Sequence, residues 1–335
     1  MLQGGDDVLL LANEMIEVEV DPDRGADITA IRRPGGPNVL ATYDWRSPLR
    51  ASHSTSYGEP VTDWLSEYRG GWQELFPNAG DACEVMGVPL PFHGEVSTAR
   101  WVVSDQTDDS VTLTTATRLP LVLERRMRLV EGEAVLSIEE TARLDSDTAV
   151  PFLWGHHPAW MASDGARIDL PAGITIAADA GYATEHGDLA PGGAGIWPMA
   201  PGADGSSVDV SQVGAGPTER LAYLSGFAGR DGWTAIRGVA PGLGVAMAWD
   251  VATFPHAWFW CEINGPGHPW HGRSRIVAIE PHTAVPSDGL AAAVERGEAH
   301  RLSPGETHET WLTVSLFDAD ERPVSFVAQD GTITR

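Results

Sequence analysis

Apolar and polar residues alternate one by one along several short stretches of this chain. Glu17-Val18-Glu19-Val20, Ser110-Val111-Thr112-Leu113-Thr114, Ala134-Val135-Leu136-Ser137-Ile138-Glu139 and Thr310-Trp311-Leu312-Thr313-Val314-Ser315-Leu316 all carry a period of two, which lets a β-strand bury one face and wet the other. Each is bounded by Gly, Pro, Asp or Asn, the punctuation of antiparallel strands. Helical periodicity is nearly absent: only Asp288 to Arg296 and Ser66 to Leu75 suggest helix, and neither could organise a fold. Pro191 to Gly205, rich in Gly, Ala and Pro, reads as a surface loop. With 37 Gly and 24 Pro, this pattern predicts an all-β sandwich or barrel of antiparallel strands with few short helices. No repeat and no shift in composition divides the chain, so a single domain spanning 1–335 is the simplest organisation.

At 335 residues and 42% hydrophobic, the chain can bury a large core. Asp and Glu number 47 against 22 Lys and Arg, a net charge of −25. Such a field repels phosphate backbones and anionic membranes, so nucleic acid is not an expected partner. No apolar run approaches a membrane span. Met1 to Asp7 lacks the basic start and long apolar core of a signal peptide, and a cytoplasmic location is expected. Cys83 and Cys261 show no CxxC spacing, so neither a disulfide framework nor a structural zinc site is suggested. Thirteen Trp against five Tyr is an unusual balance. Trp64, Trp72, Trp154, Trp160, Trp258, Trp260 and Trp270 lie beside the chemical motifs, where indoles can stack on sugar rings, although part of the set must simply fill the core.

Three regions carry candidate chemistry. In the first, Arg69-Gly70-Gly71-Trp72-Gln73 to Asn78 and on to Phe92-His93-Gly94, irregular backbone can project Arg69, Gln73, Asn78 and His93 towards ligand hydroxyls. The second is Trp154-Gly155-His156-His157-Pro158-Ala159-Trp160. Neighbouring strand residues face opposite ways, so one of His156 and His157 is structural unless the strand has ended, and Pro158 leaves His157 at the mouth of the sheet. The third reads as strand, glycine-rich loop, strand: Phe254 to Asn264, Gly265 to Arg273, then Ile276 to Thr283. Glu280 ends an apolar run, where a carboxylate needs a partner or a catalytic use, and burial would raise its pKa towards that of a general base. His268 and His271, with Glu262 or Glu280, have the residue types of a metal site. Their glycine- and proline-rich setting argues for a loop, and no metal is expected. Glu262 and Glu280 would also have to flank one bond for glycoside hydrolysis.

These motifs together resemble the aldose 1-epimerase (galactose mutarotase-like) family. Val18-Glu19-Val20-Asp21 to Gly25-Ala26, Phe92-His93-Gly94, Gly155-His156-His157-Pro158, Ile279-Glu280-Pro281, and Leu302 to Glu306 followed by Trp311 to Leu316 occur in the family's order. The resemblance implies a β-supersandwich and an isomerase that exchanges the α and β anomers of a sugar without a cofactor. Glu280 would take the proton from the C1 hydroxyl, His157 would protonate the ring oxygen, His93 would bond to the same region, and Arg69 would contact sugar hydroxyls. Both proton-transfer groups would then titrate near neutrality. Trp72, Gln73, Asn78, His156, Trp160, Trp260, Glu262, His268 and His271 are the further candidates for substrate contact. The chain departs from the family at Ala159-Trp160 and at Pro281-His282, and the family's sugar-binding aspartate has no clear counterpart. Arg69-Gly70-Gly71 and the stretch from His93 to Arg100 are similar to the hexose-6-phosphate branch. A sugar phosphate or other anionic sugar as substrate, which would need Arg69, Arg100 or Arg273 to converge, and a non-catalytic carbohydrate-binding protein are the alternatives.

Overall fold

The computed structural model describes residues 8–43, 58–227, 229 and 231–335. The Met1 to Asp7 segment lies outside them. The described chain folds into antiparallel β-sheets with two helices of eight residues each. A 13-stranded sheet runs at its centre through Asp27–Arg32, Trp72–Leu75, Gly155–Pro158, Arg275–His282, His256–Ile263 and Thr218–Ser225. An eight-stranded sheet contains Gly232–Ala240, Leu243–Trp249, Thr307–Asp318, Val135–Leu144, Leu121–Leu129 and Ser110–Ala116 in that order.

The alternating stretches form the strands expected of them, within Glu17–Asp21, Ser110–Ala116, Val135–Leu144 and Thr307–Asp318. Their inward residues, among them Leu113, Leu136, Ile138, Leu312 and Val314, share one core cluster with Leu75, Trp154, Phe259 and Ile279 of the large sheet and its loops. The two sheets are thus layered across that core. Arg275–His282 is buried at every residue after the first, because its second face is covered too. That second face carries the site.

Two local expectations are corrected. The first helix is Pro60–Glu67, with the Glu59 side chain accepting from the Val61 and Thr62 N–H groups, and not Ser66 to Leu75. Gly70 and Gly71 have φ of 73° and 79°, and a Cβ on Gly70 would lie 1.9 Å from the Ala41 carbonyl oxygen. A helix cannot cross such a pair, and the chain resumes as the strand Trp72–Leu75. Pro191 to Gly205 is not a plain loop: Ala194–Ile196 and Met199–Pro201 pair, and Ser207–Asp209 adds a third short strand. The expected helix at Asp288 to Arg296 is present as Gly289–Arg296, ended by Gly297 at φ 75°.

Candidate active site

The double histidine is resolved by strand register. Trp72–Leu75 pairs with Gly155–Pro158 so that Gln73 stands opposite His157 and Glu74 opposite His156. Alternation then sends Glu74 and His156 into the space between the sheets and His157 to the outer face. His156 is fully buried, its Nε2 3.1 Å from Glu140 Oε2 and its Nδ1 accepting from the Trp72 indole N–H at 3.3 Å. Neither His156 nor Trp72 reaches the cleft, contrary to expectation. Trp160 is likewise sealed in, edge-on to Trp72 at 5.6 Å. Asn78 is buried as a loop tie, donating to the Asp81 and Pro91 carbonyls and accepting from the Leu290 N–H.

Beneath the strand pair, Arg125 forms ion pairs with Glu74 and with Glu140, the latter at 2.7 Å. The Trp154 indole donates to Glu74 at 2.5 Å. Burial raises the Glu74 carboxyl well above its usual range. Burial acts the same way on Glu140, but His156 and Arg125 outweigh it and hold that carboxyl down to about 2. Glu74, Glu140 and His156 are the group of potential metal ligands among the described residues, and Arg125 already supplies their cation.

The other half of the site comes from the hairpin of His256–Ile263 and Arg275–His282. Trp258 pairs with Glu280 and Trp260 with Ala278, so Trp258, Trp260, Glu262, Glu280 and His282 share one face. Glu280 is 1% exposed. Its Oε1 lies 3.7 Å from His157 Nε2 and its Oε2 3.6 Å from His282 Nε2. His282 stacks on Trp258 with centroids 3.6 Å apart. His93 enters from a turn at φ 61°, followed by Gly94 at φ 76°. A Cβ on Gly94 would sit 2.5 Å from the Asn78 carbonyl oxygen, so the turn that aims His93 needs that glycine. His93 Nδ1 accepts from the Gly80 N–H at 3.1 Å, which leaves the proton on Nε2.

Glu280, His157 and His93 line a cavity of about 150 Å³ together with Trp64, Phe92, Tyr182, Trp258, Trp260, Glu262 and Trp270. Trp64, from the helix Pro60–Glu67, stands edge-on to His93 at 4.7 Å and to His157 at 5.4 Å, stacked on Tyr68 at 4.6 Å. On the far side of Trp64 a second cavity, about 340 Å³, holds Asp27, Tyr68, Arg69 and Gln73. Gln73 donates there to the Gly70 carbonyl at 2.6 Å and to Asp27 at 3.1 Å. Arg69 and Gln73 therefore meet each other but not Glu280. His268 and His271 are exposed on the loop, rings 6.0 Å apart, outside both linings. Arg100 pairs with Asp23 at 2.8 Å and Arg273 is exposed. The three arginines do not converge, and among the described residues no Arg or Lys lines the Glu280 cavity.

Burial sets the proton chemistry. It pushes the Glu280 carboxyl well above its usual range and His157 down to about 4, below the near-neutral value expected of it. Burial also holds His93 and His282 well below an ordinary imidazole. Glu262 is raised to about 7 by burial and by Glu219, against hydrogen bonds from Ser274 and the Gly265 N–H. The cavity is thus an aromatic box holding two carboxyls and two neutral imidazoles, His93 and His157, with His282 outside the lining against Glu280. His282, two residues beyond Glu280 on the same strand, could have been found from alternation. So could Trp258, two before Trp260. Tyr182 and Tyr68 arrive from loops that leave no such signal.

A scan against family models and a search of the curated proteins return no match to this chain. Solved structures do match. Slr1438 from Synechocystis aligns at 16% identity and a TM-score of 0.66, over 93% of this chain and 96% of its own. A putative aldose 1-epimerase from Escherichia coli aligns at 15% identity and 0.63, over 94% and 100%. A galactose mutarotase-like protein from Clostridium acetobutylicum aligns at 15% identity and 0.64, over 95% and 97%. At such identities the likeness is one of fold, and the fold of this chain is that of the galactose mutarotase-like proteins.

Proposed function

We propose that the protein is an aldose 1-epimerase that interconverts the α and β anomers of a free sugar. The observation that carries this reading is the approach of Glu280 Oε1 to His157 Nε2, 3.7 Å apart in a buried aromatic cavity with His93 beside them. Between them the two groups need one proton. With that proton on His157, the Glu280 carboxylate takes the proton of the C1 hydroxyl while His157 gives its own to the ring oxygen. The bond from C1 to the ring oxygen breaks, leaving the aldehyde and a new hydroxyl. The proton now sits on Glu280 and His157 is neutral, the distribution that burial favours. Rotation about the C1–C2 bond exposes the other carbonyl face. On closure His157 takes back the hydroxyl proton and Glu280 protonates the carbonyl oxygen, so the pair returns to its starting state.

His93 supports the reading through its Nε2 proton, available to the ring oxygen because Nδ1 is engaged by Gly80. Trp258, Trp260, Trp270 and Trp64 offer indoles for the apolar faces of the ring. Every step uses side chains alone. The lining has no Arg or Lys among the described residues, which disfavours an anionic sugar. The test is polarimetry of freshly dissolved neutral, uronic and phosphorylated sugars. Wild type should speed mutarotation of at least one neutral sugar, and Glu280→Gln should lower kcat about 10²- to 10⁴-fold while circular dichroism stays native. Sugar binding without any acceleration would mean a carbohydrate-binding protein instead.

A further inference from the structure

The cavity holds a second carboxyl that the proton transfers do not use. Glu262 is 1% exposed. Its Oε1 accepts from the Gly265 N–H and the Ser274 hydroxyl, both at 2.9 Å. Its Oε2 has no hydrogen bond among the described residues. Gly265 is needed for that grip, since a Cβ there would stand 2.3 Å from Oε1. One oxygen is thus fixed by the loop while the other is left for a ligand. Among the described residues, no Arg or Lys in the lining neutralises the charge.

Register locates this carboxyl relative to Glu280. Glu280 is level with Trp258 and Glu262 is four residues further along the same strand and on the same face, about 13 Å away at roughly 3.3 Å per residue. The two carboxyls close opposite ends of one aromatic cavity, with Trp258 beside Glu280 and Trp260 between the two levels. We propose that Glu262 reads the end of the sugar opposite the anomeric carbon, accepting a hydrogen bond from a hydroxyl there and excluding sugars with an anionic group at that end. The proposal rests on the epimerase reading, which sets C1 at Glu280 and so turns C4 or C6 of a pyranose towards Glu262.

The test is tryptophan fluorescence, which reads binding without turnover. D-glucose, D-galactose and D-mannose are titrated first, and the tightest binder is compared with its 2-deoxy, 4-deoxy and 6-deoxy analogues and its 6-phosphate. The 4-deoxy or 6-deoxy sugar should bind roughly 10- to 100-fold more weakly than its parent, the cost of an interaction with a charged acceptor, and the 6-phosphate should not bind. The 2-deoxy sugar should lose less than the weaker binder of those two. In Glu262→Gln the deoxy difference should shrink severalfold, with KM raised and kcat nearly kept. Equal binding of parent, 4-deoxy and 6-deoxy sugars, or a 6-phosphate that binds as well as its parent, overturns the proposal while leaving the epimerase reading standing. Should Glu262→Gln not fold, the analogue series on wild type decides alone. Discrimination by wild type without anomer exchange would keep Glu262 as a sugar reader and remove the catalytic assignment, whereas no binding of any hexose would overturn both.

Discussion

Replacing Glu262 by Gln should stabilise the protein increasingly as pH rises above about 4.5, with the full gain reached above about 7. In the native state burial, aided by Glu219, lifts this carboxyl from an ordinary 4.5 to about 7. The unfolded chain therefore gives up its proton near pH 4.5 while the native chain keeps it to about 7. Across that window the native state binds more protons, so stability falls as pH rises. The gap between 4.5 and about 7, at about 1.4 kcal/mol per pH unit, comes to about 3 kcal/mol. Gln is isosteric and can keep the bonds from Gly265 and Ser274 through its own carbonyl. Glu280 and Asp27, also raised by burial, add the same slope to both proteins and cancel in the difference. Urea midpoints taken at intervals from pH 4 to 8 should coincide at the acid end and separate progressively, with the variant ahead by about 3 kcal/mol at pH 8. Parallel profiles over the whole range would refute the reasoning, since they would mean that folding does not hold a proton on Glu262.

Three further outcomes follow from the same geometry. His157→Asn should flatten the acid limb: folding holds the imidazole at about 4, so the unfolded chain takes up a proton below pH 6.5 that the native chain refuses. The His157 contribution to wild-type stability should fall by about 3 kcal/mol as pH drops from 6.5 to 4, so the variant should gain about that much on wild type in denaturant midpoints across this window. Gly155→Ala should cost about 1–3 kcal/mol, because the new Cβ would stand 1.9 Å from the His282 ring, which is pinned on Trp258; an unchanged thermal midpoint would contradict this. Arg125→Met should destabilise by about 3–5 kcal/mol through the loss of the cation that Glu74 and Glu140 share, read as a lowered urea midpoint with an unchanged m-value.

The strands within Ser110–Ala116 and Thr307–Asp318 were legible because alternation is local; Leu121–Leu129, not singled out from the sequence, alternates as well, with Leu121, Leu123, Met127 and Leu129 facing inward. Arg125 has the same inward parity. An arginine at that position signals a buried counter-charge, but its partners come from other strands, and strand order is not written in any one window. The choice between His156 and His157 had the same character. Alternation required them to part, but only the pairing with Glu74 and Gln73 fixes which faces out. Trp64 was visible as an indole near the motifs. Its position between His157 and Arg69 depends on the helix Pro60–Glu67, which ends before Gly70 and Gly71 turn the chain. That partition is why residues close in sequence, Arg69 and Gln73 on one side and Glu280 and His157 on the other, occupy separate cavities.

Exchange NMR at the anomeric protons of a neutral hexose tests most directly whether Glu280 and His157 move protons at an anomeric carbon. With wild type, saturating one anomer's proton should deplete the signal of the other within the relaxation time, and Glu280→Gln should abolish that transfer while the sugar's lines still broaden on binding. Transfer that survives the substitution, or sugars that bind wild type without any transfer, would contradict the account.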